Sequence, residues 1–308
     1  MTDNSSTASR SKLSIWLQAV RAFSFTASIT PVFVGAMFAL SHGGEVYWWL
    51  FPLVVICSLL FHAGTNLVSD YFDFQRGVDR RYTFGSSGVL VNGLLGPRQV
   101  LNGGLLLFGI GFALGLILVV VRGMPIFWLG VVGLLGGYFY TGKPIGYKYV
   151  ALGDFLVFAL MGPLMVIGSY YVLTGDYNTH VFYVSLPIGF LVAAILHANN
   201  LRDIAHDTEA NVRTLANVFG LKAAKVGYYL LVLGAYLSVV IMVAMQVVGP
   251  WALIVFLSVP PALKNLKTIS GAQEGRPSEI AMIDVQTAQH HLLFGALFTI
   301  GLVLSAAI

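Results

Sequence analysis

Long apolar runs, each about the length of a bilayer crossing, alternate with short polar links along the chain. A crossing helix needs about 20 mostly apolar residues. Runs near 22–40, 47–69, 99–121, 125–141, 150–173, 181–199, 222–246, 248–264 and 286–307 meet that requirement. Short links such as Ser41-His42-Gly43-Gly44 and Val248-Gly249-Pro250 separate several of them, and glycines within the runs favour close helix packing. The pattern predicts an all-α fold, a polytopic membrane helical bundle with about nine transmembrane helices. The polar stretch 1–12 is expected to be a disordered tail, followed by a single transmembrane domain over 13–308. Residues 13–19, with Trp16 and Leu17, are expected to lie along the membrane interface. The first apolar run is long and no small-residue cleavage site follows it, so it is expected to stay in the protein as a helix.

Composition removes the soluble alternative. The chain is 57% hydrophobic and only 10% charged, with a mean hydropathy of +0.82, against about 25% charged in an ordinary soluble domain. The one cysteine, Cys57, excludes an internal disulfide and a thiolate metal site. Charge then tests the span count. When the links are assigned alternately to two sides, every one of the 17 Lys and Arg residues except Arg122 falls on the side of the N-terminus. Basic residues concentrate on the cytoplasmic side, so the tail is expected to be cytoplasmic and the C-terminus to lie across the membrane. A prokaryotic inner membrane fits this bias. The longer links, about 70–98, 200–221 and 265–285, share the basic side, and function is expected on that face.

The acids are distributed less evenly. Two groups stand at the basic-side ends of the second and sixth runs: Asn66-Leu67-Val68-Ser69-Asp70-Tyr71-Phe72-Asp73, and Asn199-Asn200-Leu201-Arg202-Asp203-Ile204-Ala205-His206-Asp207 with Glu209 beyond. Residues three or four apart share a helix face, so Asn66, Asp70 and Asp73 line up, and so do Asn199, Asp203 and Asp207. Carboxylates at a membrane end are costly unless paired or metal-bound. Two such faces looking at each other call for a cation, and Mg2+ suits them because it joins one or two carboxylates to a substrate phosphate. Asn-x-x-x-Asp recurs at a spacing of 133 residues (199 − 66), each copy preceded by a histidine, His62 or His197. That spacing suggests two related four-helix halves plus one helix. The plainer reading is that these acids pair with neighbouring arginines and only anchor helix ends. Arg76, Arg80, Arg81, Lys143, Arg202 and Arg213 are the candidate phosphate-holding cations, as Arg forks or Lys point charges.

Four segments resemble the UbiA superfamily of membrane-embedded prenyltransferases, and within it the branch that prenylates 1,4-dihydroxy-2-naphthoate in menaquinone synthesis. They are Asn66 to Asp73 with Gly77 and Asp79, Tyr140-Thr-Gly-Lys-Pro144 with Ala151-Leu-Gly-Asp154, Gly162-Pro163-Leu164, and Asn199 to Asp207 with Arg213-Thr-Leu215. The likeness covers nearly the whole chain after about residue 13. Many relatives carry the second acid of the first motif four residues after the first. Here that place is Phe74, which leaves Asp73 and Asp79 as candidates, with Asp73 favoured because it continues the helical face.

The resemblance implies a polyprenyl diphosphate donor and a Mg2+ cofactor held by Asp70, Asp73, Asp203 and Asp207, the residues expected to carry catalysis. It implies substrate binding by Asn66, Arg76, Tyr140, Lys143, Asn199 and Arg202. The leaving diphosphate would be stabilised by metal and cations, and an allylic cation would be shielded from water, with aromatic faces such as Tyr140 nearby. The expected acceptor is aromatic, 1,4-dihydroxy-2-naphthoate, with loss of CO2. Other acceptors keep the same chemistry: 4-hydroxybenzoate, homogentisate, a haem or a lipid. Membrane lipid is an expected partner and nucleic acid is not. His62 and His197 are candidate bases or satisfied core groups. An ion-coupled transporter also uses intramembrane carboxylates and internal repeats, but its site would lie near the midplane and not at helix ends.

Overall fold

The computed structural model describes residues 10–42, 44–81 and 83–307. Most of the expected tail, 1–9, lies outside them. Ser11 caps the first helix, α1 (Lys12–Ala19), by accepting from the Ser14 amide. Leu13 and Leu17 on α1 are exposed. Trp16 packs against Gly103, where an added Cβ would come within 2.9 Å of its ring.

The bundle follows in order: α2 (Thr26–His42), α3 (Phe51–Arg76), α4 (Pro97–Arg122), α5 (Met124–Phe139), α6 (Gly153–Ala159), α7 (Met165–Thr174), α8 (His180–Arg202), α9 (Ile204–Glu209), α10 (Leu215–Ala244), α11 (Val259–Gly271) and α12 (Ile283–Ala307). Eight helical stretches are long and apolar enough to cross a membrane, and α5, at 16 residues, is a ninth and shorter apolar helix. The protein is an all-helical integral membrane protein, and no named strand occurs among the described residues.

Two stretches expected as plain helices carry interruptions. The fifth crossing is α6 and α7 joined by a π-turn over Leu160–Leu164 that contains Pro163. Proline removes an amide donor and crowds the preceding turn, so the chain widens there. The eighth crossing starts as a 3-10 stretch, Pro250–Ser258, before α11.

The core forms around α2, α7, α8, α10 and α12, with Val34, Val166, Leu191, Tyr228, Phe294 and Phe298 among its buried side chains. α3 packs along α4, and α8 along α10. Small residues set the closest approaches: a Cβ on Gly35 of α2 would sit 2.4 Å from the Val166 carbonyl oxygen on α7. This packing puts the ends of α3 and α8 at the mouth of one cavity.

Candidate active site

α3 runs unbroken through Asn66, Asp70 and Asp73 and stops at Gly77, whose left-handed φ of 71° ends the helix. α8 ends one residue before Asp203, yet two i→i−4 hydrogen bonds carry the helical path on: the Asp203 amide donates to the Asn199 carbonyl at 3.0 Å, and the Asp207 amide to the Asp203 carbonyl at 2.9 Å. Asn199, Asp203 and Asp207 therefore share a face across the break. Asp70, Asp73, Asp203 and Asp207 are all buried.

Each acid has partners. Arg21 and the Ser87 hydroxyl both donate to Asp70. Asp73 accepts from Lys148 Nζ at 2.7 Å, the Tyr149 hydroxyl at 2.8 Å and the Ser69 hydroxyl at 3.1 Å. Asp203 accepts from both sides of the Arg202 guanidinium, at 2.9 and 2.8 Å. Arg202 also donates to Asn199 Oδ1 at 2.6 Å and pairs with Asp284 of α12 at 2.9 Å. The pairing with a neighbouring arginine that the plainer reading proposed is present at Asp203, whereas Asp70 and Asp73 are paired with cations from distant parts of the chain.

Electrostatics ties the two acidic ends together. Burial, with Asp203 and Asp73 adding to it, pushes the Asp207 carboxyl up to about 7. Burial, with Asp73 and Asp70 adding, pushes Asp79 up to about 7 as well. Burial alone would lower Lys148, but Asp73 holds it well above the ordinary lysine value. Burial would likewise lower Arg21, but Asp70, Asp79 and Asp73 together outweigh it and raise it. A surplus of carboxylates that raises its own members' proton affinity is a site that favours a cation. The donors are hard oxygens of the kind Mg2+ takes. Among the described residues no group of three or more His, Cys, Asp or Glu side chains is placed to hold a metal by itself. Mg2+ shared with a substrate phosphate needs only one or two carboxylates, so the donor set fits that ion.

A cavity of about 550 Å3 opens beside these acids. Its polar end is lined by Arg21, Asn66, Asp79, Lys148, Asn199 and Asp203, and Arg202, His206, Asp207 and Tyr140 also reach it. The link between α3 and α4 folds over this end. A Cβ on its Gly85 would lie 3.3 Å from Asn199 Oδ1 and 3.5 Å from Asp203 Oδ2. Asn66 donates to the Val20 carbonyl at 2.8 Å and to Ser24 Oγ at 3.2 Å, fixing its amide at the wall. His62 also lines the cavity, hydrogen-bonded to Ser28 Oγ at 2.7 Å. His197 is instead tied to the Ala224 carbonyl at 2.8 Å and to Asp154 at 3.2 Å.

Two expected substrate-binding cations stand elsewhere. Lys143 is exposed and is not among the cavity-lining residues. Arg76 is exposed, with its guanidinium 4.0 Å from the centroid of the Tyr149 ring. Lys148, five residues after Lys143, is the lysine that reaches Asp73. The turn Tyr147–Tyr149 points it inward, and linear spacing carries no signal of that turn. Arg21 reads in the sequence as an ordinary basic residue before the first crossing, and only the packing of α3 reveals it beside Asp70.

A helical membrane protein whose buried carboxylates and cations meet at the mouth of an apolar cavity is built to hold an anionic head on an apolar body. The chain belongs to the UbiA prenyltransferase family, whose model matches residues 28–270. It is 33% identical over 294 residues to 1,4-dihydroxy-2-naphthoate octaprenyltransferase of Bacillus subtilis, covering 94% of this chain and 92% of that one. It is 31% identical to UbiA prenyltransferase domain-containing protein 1 of Xenopus tropicalis, covering 98% and 85%. A UbiA homologue from Archaeoglobus fulgidus bound to GPP and Mg2+ shares the fold at a TM-score of 0.62 and 16% identity, over 92% of this chain and 99% of that one. The apo structure of a UbiA homologue from Aeropyrum pernix K1 does so at a TM-score of 0.68 and 13% identity, over 91% and 98%.

Proposed function

We propose that this prenyltransferase moves a polyprenyl group from polyprenyl diphosphate to 1,4-dihydroxy-2-naphthoate, with loss of CO2, as a step of menaquinone synthesis. The observation that carries the reading is the convergence of Asp203, Asp207, Arg21 and Lys148 at one end of an apolar cavity, with Asp70 and Asp73 directly behind Arg21 and Lys148. The acceptor is supported by the Bacillus subtilis relative. The unit that acts is residues 13–308, set in a prokaryotic inner membrane with the acidic ends facing the cytoplasm.

In this reading Asp70, Asp73, Asp203 and Asp207 hold Mg2+, which when bound neutralises diphosphate charge and assists its departure. Lys148 and Arg21 move from carboxylate partners to diphosphate partners as the donor arrives, since a phosphate oxygen offers them the same charge-assisted bond. Arg202 stays where it is and holds Asn199 and Asp203 in place. The link over Gly85 limits water at the reacting end. Tyr140, against Tyr147 at 5.4 Å between ring centroids, presents an aromatic wall to the allylic cation. His62, its ring nitrogens bonded to Ser24 and Ser28, forms part of the cavity wall on the acceptor's side.

The test is a transfer assay on purified protein with a labelled polyprenyl diphosphate and 1,4-dihydroxy-2-naphthoate, with and without EDTA. Metal-dependent prenylated product with CO2 release is expected. Product from another aromatic acceptor, and none from this one, would overturn the acceptor while keeping the reaction. No product from any acceptor would overturn the reaction as well.

A further inference from the structure

The two acidic ends come from distant parts of the chain, and the link between α5 and α6 touches both. Tyr149 is the point of contact. Its hydroxyl donates to Asp73 Oδ1 at 2.8 Å, and its backbone carbonyl accepts from the Arg213 amide at 3.2 Å. The Arg213 carbonyl in turn accepts from the Ala151 amide at 2.7 Å, which pairs Val150 and Arg213 as an isolated parallel bridge. One residue earlier, the Val212 amide donates to the Asp207 carbonyl at 2.8 Å. A short path therefore runs from the Asp73 carboxylate through Tyr149 to the backbone of Asp207. Ala151 and Asn211, beside the bridge, take left-handed φ values of 61° and 55°, a conformation that residues other than glycine seldom adopt. The fold holds backbone strain at this joint.

The Tyr149 ring has little room to move. The Arg76 guanidinium lies 4.0 Å from its centroid, and a Cβ on Gly146 would come within 2.8 Å of its Cδ2. Tyr149 is buried and does not line the cavity, so its hydroxyl does not face the substrate. The Asp73 carboxylate divides its partners by oxygen. Lys148 and Ser69 donate to Oδ2, and Tyr149 donates to Oδ1. A phenol stays protonated and uncharged at neutral pH. An arriving diphosphate therefore draws it less than it draws the Lys148 ammonium.

Resting on the prenyl-transfer reading with Mg2+ between the acidic ends, we propose that Tyr149 is a positioning residue that sets Asp73 against Asp207. When Lys148 turns from Asp73 to the diphosphate, the Tyr149 hydroxyl stays and keeps the carboxylate aimed at the metal. Its backbone carbonyl meanwhile holds the segment that leads out of the second acidic group. Arg76 then acts through the ring that it braces and not on a phosphate. Outer partners of this kind are worth about tenfold to a hundredfold in metal affinity.

The experiment follows the melting temperature of the full-length protein in detergent against Mg2+ concentration, with the unreactive donor analogue geranyl S-thiolodiphosphate present. The proteins are wild type, Tyr149→Phe and Tyr236→Phe. Tyr149→Phe keeps the ring and the backbone carbonyl and removes only the hydroxyl bond. Its Mg2+ midpoint is expected to rise by about tenfold or more, while the acceptor KM in the transfer assay stays within about twofold of wild type. Tyr236→Phe is the control, because its buried hydroxyl bonds Ser258 and His290 and no acid. It should lower the melting temperature without ligand and leave the Mg2+ midpoint unchanged. The same pattern in Tyr149→Phe would make that hydroxyl structural only and overturn the proposal. If Tyr149→Phe does not fold, Arg76→Leu loosens the ring from an exposed position. It should raise the midpoint by about threefold, whereas loss of a positive charge alone would lower it; an unchanged or lowered midpoint overturns the proposal. A wild type whose melting does not respond to Mg2+ beside the analogue overturns the metal reading itself. That outcome is distinct from a wild type and a Tyr149→Phe variant that respond alike.

Discussion

Asp70 and Asp203 are each held by an arginine, but from different parts of the chain. Arg21 reaches Asp70 from the segment before α2, whereas Arg202 is the immediate neighbour of Asp203 and spends its whole guanidinium on Asn199, Asp203, Asp284 and the Ala281 carbonyl. Replacing Asp70 or Asp203 by Asn preserves size and removes the charge a metal needs. Turnover is expected to fall by about a hundredfold or more in either variant, while size-exclusion chromatography in detergent shows an intact protein. Near-normal turnover would remove the metal role of that residue. Lys148→Ala should raise the donor KM by about tenfold and leave the acceptor KM within about twofold, whereas Lys143→Ala, exposed and away from the cavity, should leave both near wild type. The reverse ranking in steady-state kinetics would return the role to Lys143. The raised carboxyls at Asp79 and Asp207 give a pH signature. Protonated acids do not bind Mg2+, so apparent Mg2+ affinity should rise with pH through about 7 and level off above it, a change of about tenfold between about pH 6 and about pH 8 if one proton is released. Without metal the sign for stability is opposite. The fold favours the protonated acids, so stability is greatest below the ordinary carboxylate value near 4 and is lost as pH rises to about 7. Melting curves in EDTA and in Mg2+ should therefore diverge as pH increases.

At the scale of elements, backbone approach decides more than side-chain hydrophobicity. Gly162, in the π-turn between α6 and α7, would place a Cβ 2.5 Å from the Gly189 Cα of α8. That neighbour is backbone and cannot rotate away, so Gly162→Ala should destabilise the protein by about 1–3 kcal/mol. Gly109→Ala, with no neighbour at 4 Å, should be neutral or stabilising by up to about 1 kcal/mol. Thermal melts in one detergent compare the two, and equal shifts would mean that α6, α7 and α8 do not pack as described. The run 150–173 reads as one helix from its hydropathy alone. The widened turn at Pro163 arises because a helix crossing so close to α8 must find room for a proline ring, and a one-dimensional pattern holds no record of that neighbour.

Alternating assignment of the links predicts one basic side and one nearly uncharged side for the whole molecule. In a Cys57→Ser background, a cysteine at Glu45 should react with a membrane-impermeant maleimide added to intact prokaryotic cells, and a cysteine at Ser278 should not. Both native positions are exposed, so access to reagent is not limited by packing. The opposite result would invert the proposed orientation and put the acidic helix ends outside.

The all-helical membrane class, the apolar helices and the two acidic helix ends were all legible in the chain itself. Each rests on local information: a run long enough to span a bilayer, a bias in Lys and Arg, and a spacing of three and four that aligns Asn66, Asp70 and Asp73 on one face. Tertiary structure alone decided which cations meet those acids. Arg21 and Asp70 are 49 positions apart and Lys148 and Asp73 are 75 apart, and no periodicity links them. It also decided that Lys148 and not Lys143 turns inward, and that the Tyr149 hydroxyl reaches Asp73. An apolar run specifies that a helix will be buried in lipid or protein. Its partner, its rotation and the volume left between the two come from close packing of the whole bundle, which only the folded chain contains.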